Sequence, residues 1–339
     1  MSSKRQYVQD LTDGVALDEV YLVHDKQLRA NRNGNLYLQV ELRDRTGGIG
    51  GRLWNAGEPL FRSFADGDFV QARGKVQLFQ GSLQVILSAL ERVGEERVNL
   101  ADFLPHTDKD ISKLQARLRT LLMGVSNHHL RALAECFLMD EALLRDFCRA
   151  PAGVRNHHAY LGGLLEHVVN MMEAADRLAP LYPKVDRDLL MVGVFLHDIG
   201  KVRELSYDRL FGYSDEGQLV GHLVIGVQML DDKVKQVPDL TGEPFPRELH
   251  LRLAHLILSH HGTHEFGSPR LPMTPEAIAL HHIDNLDAKV HTFVRDIEED
   301  RGASAWTPFN TAPQRRLFKG LRDAAAPVDG DVQENGPGI

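Results

Sequence analysis

Cysteine is scarce in this sequence: its 339 residues include two, Cys136 and Cys148. Both lie in helix-like sequence without the spacing of metal ligands, so we expect buried free thiols in a reducing cytoplasm rather than a disulfide. Long apolar runs are missing as well. None approaches the roughly 20 residues of a membrane span, and no apolar signal segment follows residues 1–5. The sequence therefore predicts a cytoplasmic protein with no membrane partner.

An excess of positive charge is also absent. The net charge is -8 at pH 7, which argues against a protein that coats nucleic acid by bulk electrostatics. Any contact with nucleic acid must therefore be local. The length is sufficient for about two domains, with a sizeable apolar core.

The first part of the chain has the alternation of β-strands. Five short runs separated by glycine-containing turns occupy residues 20–28, 35–44, 50–55, 68–78 and 82–90. Short strands in this number predict a small closed barrel, for which an oligonucleotide-binding (OB) barrel is the natural candidate. We therefore predict an OB-fold nucleic-acid-binding domain over residues 1–95.

Cations and aromatic rings are interleaved in these strands. On a face that binds single strands, cations would contact phosphates and rings would stack on bases. For each residue, the alternative is that the ring belongs to the barrel core or that the cation is merely solvated, and both remain open. The candidate substrate-binding residues here are Tyr37, Arg43, Arg52, Trp54, Arg73, Lys75 and Phe79.

From residue 108 onward the apolar period is that of helices. The pattern predicts helices near 111–122, 130–147, 158–180, 187–200, 217–236, 247–261 and 275–299. No strand-like segment of comparable strength follows residue 110. We therefore predict a linker at 96–107, an all-α domain at 108–310, and a C-terminal segment at 311–339 that ends in a disordered polar tail.

Histidine is concentrated in the helical part, where 13 of the 17 lie between His157 and His291. A single one, such as His167, is more often a hydrogen-bonded core residue. His197 and Asp198 stand side by side at the end of an apolar helix, however. A buried imidazole and carboxylate are costly unless a partner satisfies them, and a divalent metal would do so.

A histidine or an aspartate is expected on the buried side of each of five predicted helices. The candidate ligands are His167, His197, Asp198, His222, His260, His261 and Asp284. Seven ligands are too many for one ion, and imidazoles combined with carboxylates suit Mn, Fe, Co, Ni or Zn rather than Ca or Mg. Two ions about 3.5–4 Å apart can share a carboxylate and a hydroxide that attacks phosphorus in line. The pattern thus predicts a metal-dependent phosphohydrolase.

These motifs resemble a known family. The seven candidates together with Lys201 resemble the HD-domain metal-dependent phosphohydrolases, and His222, His260 and His261 resemble the additional histidines of the binuclear subset. Five segments further resemble the YhaM-type 3′→5′ exoribonucleases: 37–47, 51–55, 156–167, 259–269 and 282–289. The resemblance implies a multidomain fold in which an all-β OB barrel is followed by an all-α HD domain.

The resemblance also implies a role for each residue. The first metal would be held by His167, His197, Asp198 and Asp284. The second would be held by His222, His260 and His261, with Asp198 bridging the two. Asp198 and Lys201 would be catalytic, because the lysine is a fixed cation that can contact the scissile phosphate. The expected cofactors are two divalent transition-metal ions, with Mn²⁺ first and Fe, Co, Ni or Zn as alternatives.

Six further residues lie near these motifs. His157 and His158 match upstream histidines of the family, and either phosphate contact or helix packing would explain them. Four others could orient ligand imidazoles from behind: His264, Glu265, His281 and Asp287.

The function implied is a 3′→5′ exonuclease that hydrolyses single-stranded RNA, with single-stranded DNA left open, to nucleoside 5′-monophosphates. A homo-oligomer is also left open. One alternative is an HD phosphodiesterase or nucleotidase that acts on small nucleotides, among them cyclic ones. The HD phosphodiesterases that act on cyclic dinucleotides have Asp-Gly-x-Gly-Tyr-Pro after the paired histidines. In this sequence, Gly-Thr-His-Glu-Phe follows His261 instead. Another is a non-catalytic nucleic-acid-binding protein, which the complete set of motif residues argues against.

Overall fold

The structure is a computed structural model that describes residues 5–154, 158–300, 302, 304–310 and 314–320. The chain divides into two compact units, Met1–Asp287 and Ala288–Ile339. The second unit contains the isolated bridges Trp306↔Phe318 and Asn310↔Arg315. No helix in the described part of the chain is long and apolar enough to cross a membrane.

Five strands of the first unit form a closed barrel in the order β1-β2-β3-β5-β4. They are β1 (Ala16–Ala30), β2 (Leu36–Asp44), β3 (Gly47–Trp54), β4 (Phe69–Phe79) and β5 (Ser82–Val93), with helix α1 (Glu58–Arg62) before β4. Only β3 and β5 pair in parallel; the other neighbours are antiparallel. The prediction of an N-terminal OB barrel is confirmed.

Alternation along the strands decides which side chains fill the barrel. Leu38, Val40 and Leu42 are buried, while the residues between them face outward. The outer faces of β2, β3, β4 and β5 are thus available for contacts outside the barrel core.

The turn of the β4–β5 hairpin is formed by Gln80 and Gly81. Both residues have positive φ, 49° and 82°, and therefore close the hairpin as the sequence predicts.

The helical part contains eleven helices among the described residues. They are α2 (Ile111–Met123), α3 (His128–Leu138), α4 (Glu141–Arg149), α5 (Gly163–Leu178), α6 (Arg187–Leu196), α7 (Lys201–Glu204), α8 (Asp215–Leu219), α9 (His222–Val234), α10 (Val237–Thr241), α11 (Arg247–Ser259) and α12 (Pro275–Glu299). One apolar core joins most of them, with Leu133, Val168, Phe195 and Leu256 among its buried residues.

Three helix predictions need correction. The predicted helix 130–147 is two helices, because Asp140 accepts the amide of Leu143 and caps a new one. The predicted helix 158–180 begins at Gly163, after Gly162 with φ 80°. The predicted helix 217–236 is interrupted at Gly221, with φ 78°. A short hairpin, β6 (Leu205–Ser206) with β7 (Gly212–Tyr213), was also not predicted.

A small apolar cluster lies where the barrel meets the helices. Leu22, Phe69, Phe103 and Leu104 form its buried part. Phe103 and Leu104 belong to the predicted linker, so these linker residues are packed. Leu210 and Phe211, from the loop of the β6–β7 hairpin, pack against the same cluster.

Candidate metal centre and nucleic-acid interface

Helix packing brings the seven ligand candidates together. His167 lies in α5, His197 and Asp198 directly follow α6, His222 begins α9, His260 and His261 follow α11, and Asp284 lies in α12. Glycines permit the close approach: a Cβ on Gly193 would lie 2.4 Å from Leu256 of α11, and one on Gly200 would lie 2.1 Å from the carbonyl oxygen of His222. The ends of α6, α9 and α11 therefore meet at one point.

One group of atoms surrounds Oδ2 of Asp198. The Nε2 atoms of His167 and His197 are 3.3 Å apart. His197 Nε2 is 3.3 Å from Asp198 Oδ2, and His167 Nε2 is 3.4 Å from Asp284 Oδ1. These are the four residues predicted for the first metal, and their donor atoms face one another.

A second group surrounds the other oxygen of Asp198. The Nε2 atoms of His222 and His260 each lie 3.5 Å from Asp198 Oδ1. His222, His260 and His261 offer ligand atoms within 4.8 Å of one another. Asp198 therefore presents one oxygen to each group, which is the arrangement expected of a bridging carboxylate.

Unsatisfied atoms in this second group indicate what it can hold. Asp198 is 2 % exposed, and its Oδ1 has no hydrogen-bond partner among the described residues, nor has His222 Nε2. A buried carboxylate oxygen without a partner costs about 1–3 kcal/mol or more. Because divalent transition metals accept imidazole and carboxylate donors at roughly 2.0–2.2 Å, a cation between these atoms would satisfy them. The residues present fit such an ion.

The imidazoles are held by their other ring nitrogen. Nδ1 of His197 donates to the carbonyl of Val194 at 2.7 Å, and Nδ1 of His260 donates to the carbonyl of Ile257 at 2.8 Å. A carbonyl can only accept, so Nδ1 carries the proton in both rings. Their Nε2 lone pairs consequently face the centre, as metal coordination requires.

Two carboxylates contact Nδ1 of two further rings, those of His167 and His222. Nδ1 of His167 donates to Asp287 Oδ2 at 2.7 Å. Nδ1 of His222 donates to Glu204 Oε1 at 2.8 Å. Asp287 was predicted to orient an imidazole, whereas Glu204 was missed, because a single acidic residue between Arg203 and Leu205 belongs to no recognisable motif in the sequence.

The charges of the centre favour a cation. Burial alone would raise the pKa of the Asp198 carboxyl, but Lys201 and His197 hold it well below its usual range. Burial lowers the pKa of His260 to about 3. Burial would also lower the pKa of His167, but hydrogen bonds to Asp284 and Asp287 raise it to about 9. The aspartates thus stay ionised, and their field attracts positive charge.

Lys201 lies beside the bridging carboxylate. Its Nζ donates to Asp198 Oδ2 at 2.6 Å and to the carbonyl oxygen of Ala152 at 2.7 Å. The side chain is 12 % exposed. Its ammonium is therefore fixed at the centre, where it balances part of the negative charge.

Of the other residues predicted to lie near the metal ligands, some contact residues of the centre and others lie at the surface. His158 is buried and its Nε2 donates to Asp287 Oδ2 at 2.9 Å, which supports the packing alternative for this residue. His281 Nδ1 donates to the carbonyl of His260 at 2.8 Å. His264 and Glu265 are exposed, and His264 instead contacts the carbonyl of Ser268. His157 lies outside the described residues.

Five of the seven basic and aromatic residues predicted to bind substrate lie on one outer face of the barrel. Trp54 pairs with Tyr37 across β2 and β3, and their rings are 5.0 Å apart. Lys75, Ile86, Arg52 and Gln39 are register partners across β4, β5, β3 and β2. The guanidinium of Arg52 lies 5.8 Å from the ring centre of Phe79. We call Tyr37, Arg52, Trp54, Lys75 and Phe79 the barrel face.

The structure decides between core and surface for these rings. Trp54 and Phe79 are each 45 % exposed, so neither belongs to the barrel core. The remaining two cations are engaged in ion pairs. Arg43 contacts Glu41 at 2.8 Å, and Arg73 contacts Asp18 and Glu91 at 3.2 and 3.3 Å.

Comparison with known proteins agrees with both parts of this description. Residues 22–93 match the family described as an OB-fold nucleic acid binding domain, and residues 164–289 match the HD domain. The protein named 3′-5′ exoribonuclease YhaM from Bacillus subtilis is 36 % identical over 84 % of this chain and 88 % of its own length. Proteins of the same name from a Geobacillus species and from Oceanobacillus iheyensis are each 32 % identical, over 84 % and 85 % of this chain and 86 % and 89 % of their own.

Proposed function

Because this chain belongs to the YhaM 3′-5′ exoribonuclease family and is an HD-domain hydrolase, we propose that it degrades single-stranded RNA from the 3′ end and releases nucleoside 5′-monophosphates. The observation that carries the proposal is Asp198, whose two oxygens face two separate groups of imidazoles. The barrel face, on the same chain, supports a strand rather than a small nucleotide as substrate.

The proposed cofactors are two divalent transition-metal ions, with Mn²⁺ expected. His167, His197, Asp198 Oδ2 and Asp284 would hold one; His222, His260, His261 and Asp198 Oδ1 would hold the other. When bound, such a pair supplies an attacking hydroxide at neutral pH and stabilises charge on the phosphate oxygens.

The protein's own residues would orient the reaction. Lys201, fixed between Asp198 and Ala152, supplies a positive charge near the scissile phosphate and stabilises the charge that develops there. The carbonyls of Val194 and Ile257 and the carboxylate of Glu204 hold the ring proton of His197, His260 and His222 on Nδ1, so that the Nε2 lone pairs of these three rings are free to bind a cation. The buried cluster also limits the access of bulk water.

The barrel face would hold the strand on its way to the centre. Tyr37, Trp54 and Phe79 offer rings on which bases can stack, and Arg52 and Lys75 offer charge to the phosphates. Stacking does not distinguish ribose from deoxyribose, so single-stranded DNA is included in the proposal as a second substrate.

The test uses RNA and DNA single strands labelled at the 3′ or the 5′ end and digested by the full-length protein with Mn²⁺. We expect 5′-labelled RNA to shorten gradually and 3′-labelled RNA to release a labelled 5′-monophosphate at once. The matched control is Asp198→Asn, which keeps the size of the side chain and removes its charge.

Release of the 5′ label first would contradict the polarity. Internal fragments would indicate an endonuclease. Intact strands, with cleavage confined to small cyclic nucleotides, would favour the phosphodiesterase alternative. Intact strands that are nevertheless bound tightly would favour a non-catalytic binding protein.

A further inference from the structure

Glu204 has a specific relation to His222. It is 8 % exposed, and its Oε1 accepts the backbone N–H of His222 at 3.0 Å and the ring Nδ1–H at 2.8 Å. Because the carboxylate fixes the proton on Nδ1, the lone pair of His222 Nε2 is directed toward Asp198 Oδ1, 3.5 Å away. A carboxylate in this position sets the tautomer and the orientation of a metal-binding histidine.

The chain around Glu204 holds it in place. We call residues 201–221 the strap; it contains α7, the β6–β7 hairpin and α8. The amide of Ser214 donates to the carbonyl oxygen of Glu204 at 2.9 Å. Gly217 packs so closely that a Cβ there would lie 2.2 Å from the same oxygen. The position of Glu204 therefore depends on how the rest of the strap is placed.

The hairpin loop of the strap is docked on the barrel. The guanidinium of Arg209 contacts Glu95 Oε2 at 2.5 Å and Asp68 Oδ1 at 3.4 Å. Leu210 packs against the cluster that contains Phe69, and its Cδ1 would lie 3.7 Å from a Cβ on Gly67. Asp68 and Phe69 stand at the start of β4. One segment thus contacts the barrel through its hairpin loop and a metal-ligand candidate through Glu204.

We propose that the strap couples the barrel to the second cation site. Docking of Arg209 and Leu210 on the barrel sets the position of Glu204, and Glu204 orients His222. Glu204 is then a positioning residue, and the affinity for the second cation depends on contacts made at the barrel. The inference rests on the proposed function in that it requires two cations per chain.

The test is a calorimetric titration of Mn²⁺ into the full-length protein without substrate. We expect wild type to bind two ions and Glu204→Ala to bind the second about 10–100-fold more weakly. Glu204→Gln, whose amide oxygen can still accept both N–H groups, should retain most of the affinity. Arg209→Ala should weaken the second ion by about 2- to 30-fold, the usual range for coupling between distant sites, and Arg209→Lys should restore part of it.

The matched control is Arg92→Ala. Arg92 contacts the same carboxylate, Asp68, at 3.1 Å, but it belongs to the barrel rather than to the strap. This variant should bind both ions like wild type. Long-range ¹⁵N correlation spectra of His222 add a second measurement: the Nδ1-protonated form should persist in Glu204→Gln and be lost in Glu204→Ala.

Each result separates this inference from the proposed function. Fewer than two ions bound by wild type would overturn the two-cation function itself. Two ions in wild type and unchanged affinity in Glu204→Ala would overturn the positioning role. A weakened Glu204→Ala beside an unchanged Arg209→Ala would overturn the coupling. Should Arg209→Ala lower the melting temperature, Asp68→Asn repeats the measurement with little change in volume.

Discussion

The barrel face and the metal centre present their functional side chains in opposite ways. On the barrel, Trp54 and Phe79 are half exposed and belong to a regular strand surface. At the centre, His167 and His197 are fully buried, and a hydrogen bond behind each ring fixes its orientation. Each substitution on the barrel should therefore remove one contact and leave the others unchanged. Each substitution at the centre should disturb several contacts together, because they share one hydrogen-bond network.

The largest effect is expected at the shared carboxylate. Asp198→Ala removes a residue that faces both imidazole groups and also deprives Lys201 of its carboxylate partner. Hydrolysis should fall by more than about 10³-fold, and metal content should drop toward zero. Elemental analysis and circular dichroism would check both the loss of metal and the survival of the helices. Full activity in a metal-analysed sample would exclude a bridging role.

A smaller effect is expected from a substitution that removes a ligand from only one of the two proposed cation sites. His261→Ala removes a ligand candidate of the second ion only, so about one ion per chain should remain while hydrolysis falls by roughly 10²-fold. Titration with Mn²⁺ would report the stoichiometry. His264→Ala is the matched control, because His264 is exposed and contacts Ser268 instead. Loss of both ions in His261→Ala would mean that the sites are not separable.

The barrel and the metal centre each contain features that are visible in the sequence. His197 and Asp198 were recognisable because polar side chains at the buried end of an apolar helix need a partner. The barrel was recognisable from the alternation of its strands. His264 and Glu265 follow the ligands in sequence, but the chain turns at Gly262, with φ 81°, and places them at the surface.

Other features gave no such signal. The apolar period runs through Met139, so the break between α3 and α4 depends on a single capping residue, Asp140. The β6–β7 hairpin has two residues per strand, too few for alternation to show. Glu204 acquires its role only when this hairpin places it beside His222. Contacts between distant segments determine such features, and a local pattern does not contain them.

On the barrel, the largest expected effect is that of a stacking ring. Trp54→Ala should weaken binding of single-stranded RNA by about 1–3 kcal/mol, which is roughly 5- to 150-fold. The barrel should still fold, since the ring is 45 % exposed. Fluorescence anisotropy with a catalytically inactive background would measure the affinity. Trp306→Ala, a similarly exposed tryptophan outside the barrel, is the control, and equal losses in both variants would argue against stacking at Trp54.

The smallest effects should distinguish the cations of the barrel. Lys75 is exposed and makes no ion pair with any described residue, whereas Arg73 is already paired with Asp18 and Glu91. A phosphate contact releases counterions, so Lys75→Gln should reduce the slope of log affinity against log salt by about 0.7. Arg73→Gln should change the slope less, because its charge is largely balanced within the barrel. A larger change for Arg73→Gln would mean that the strand displaces these carboxylates and crosses the barrel beside Asp18 rather than over Arg52.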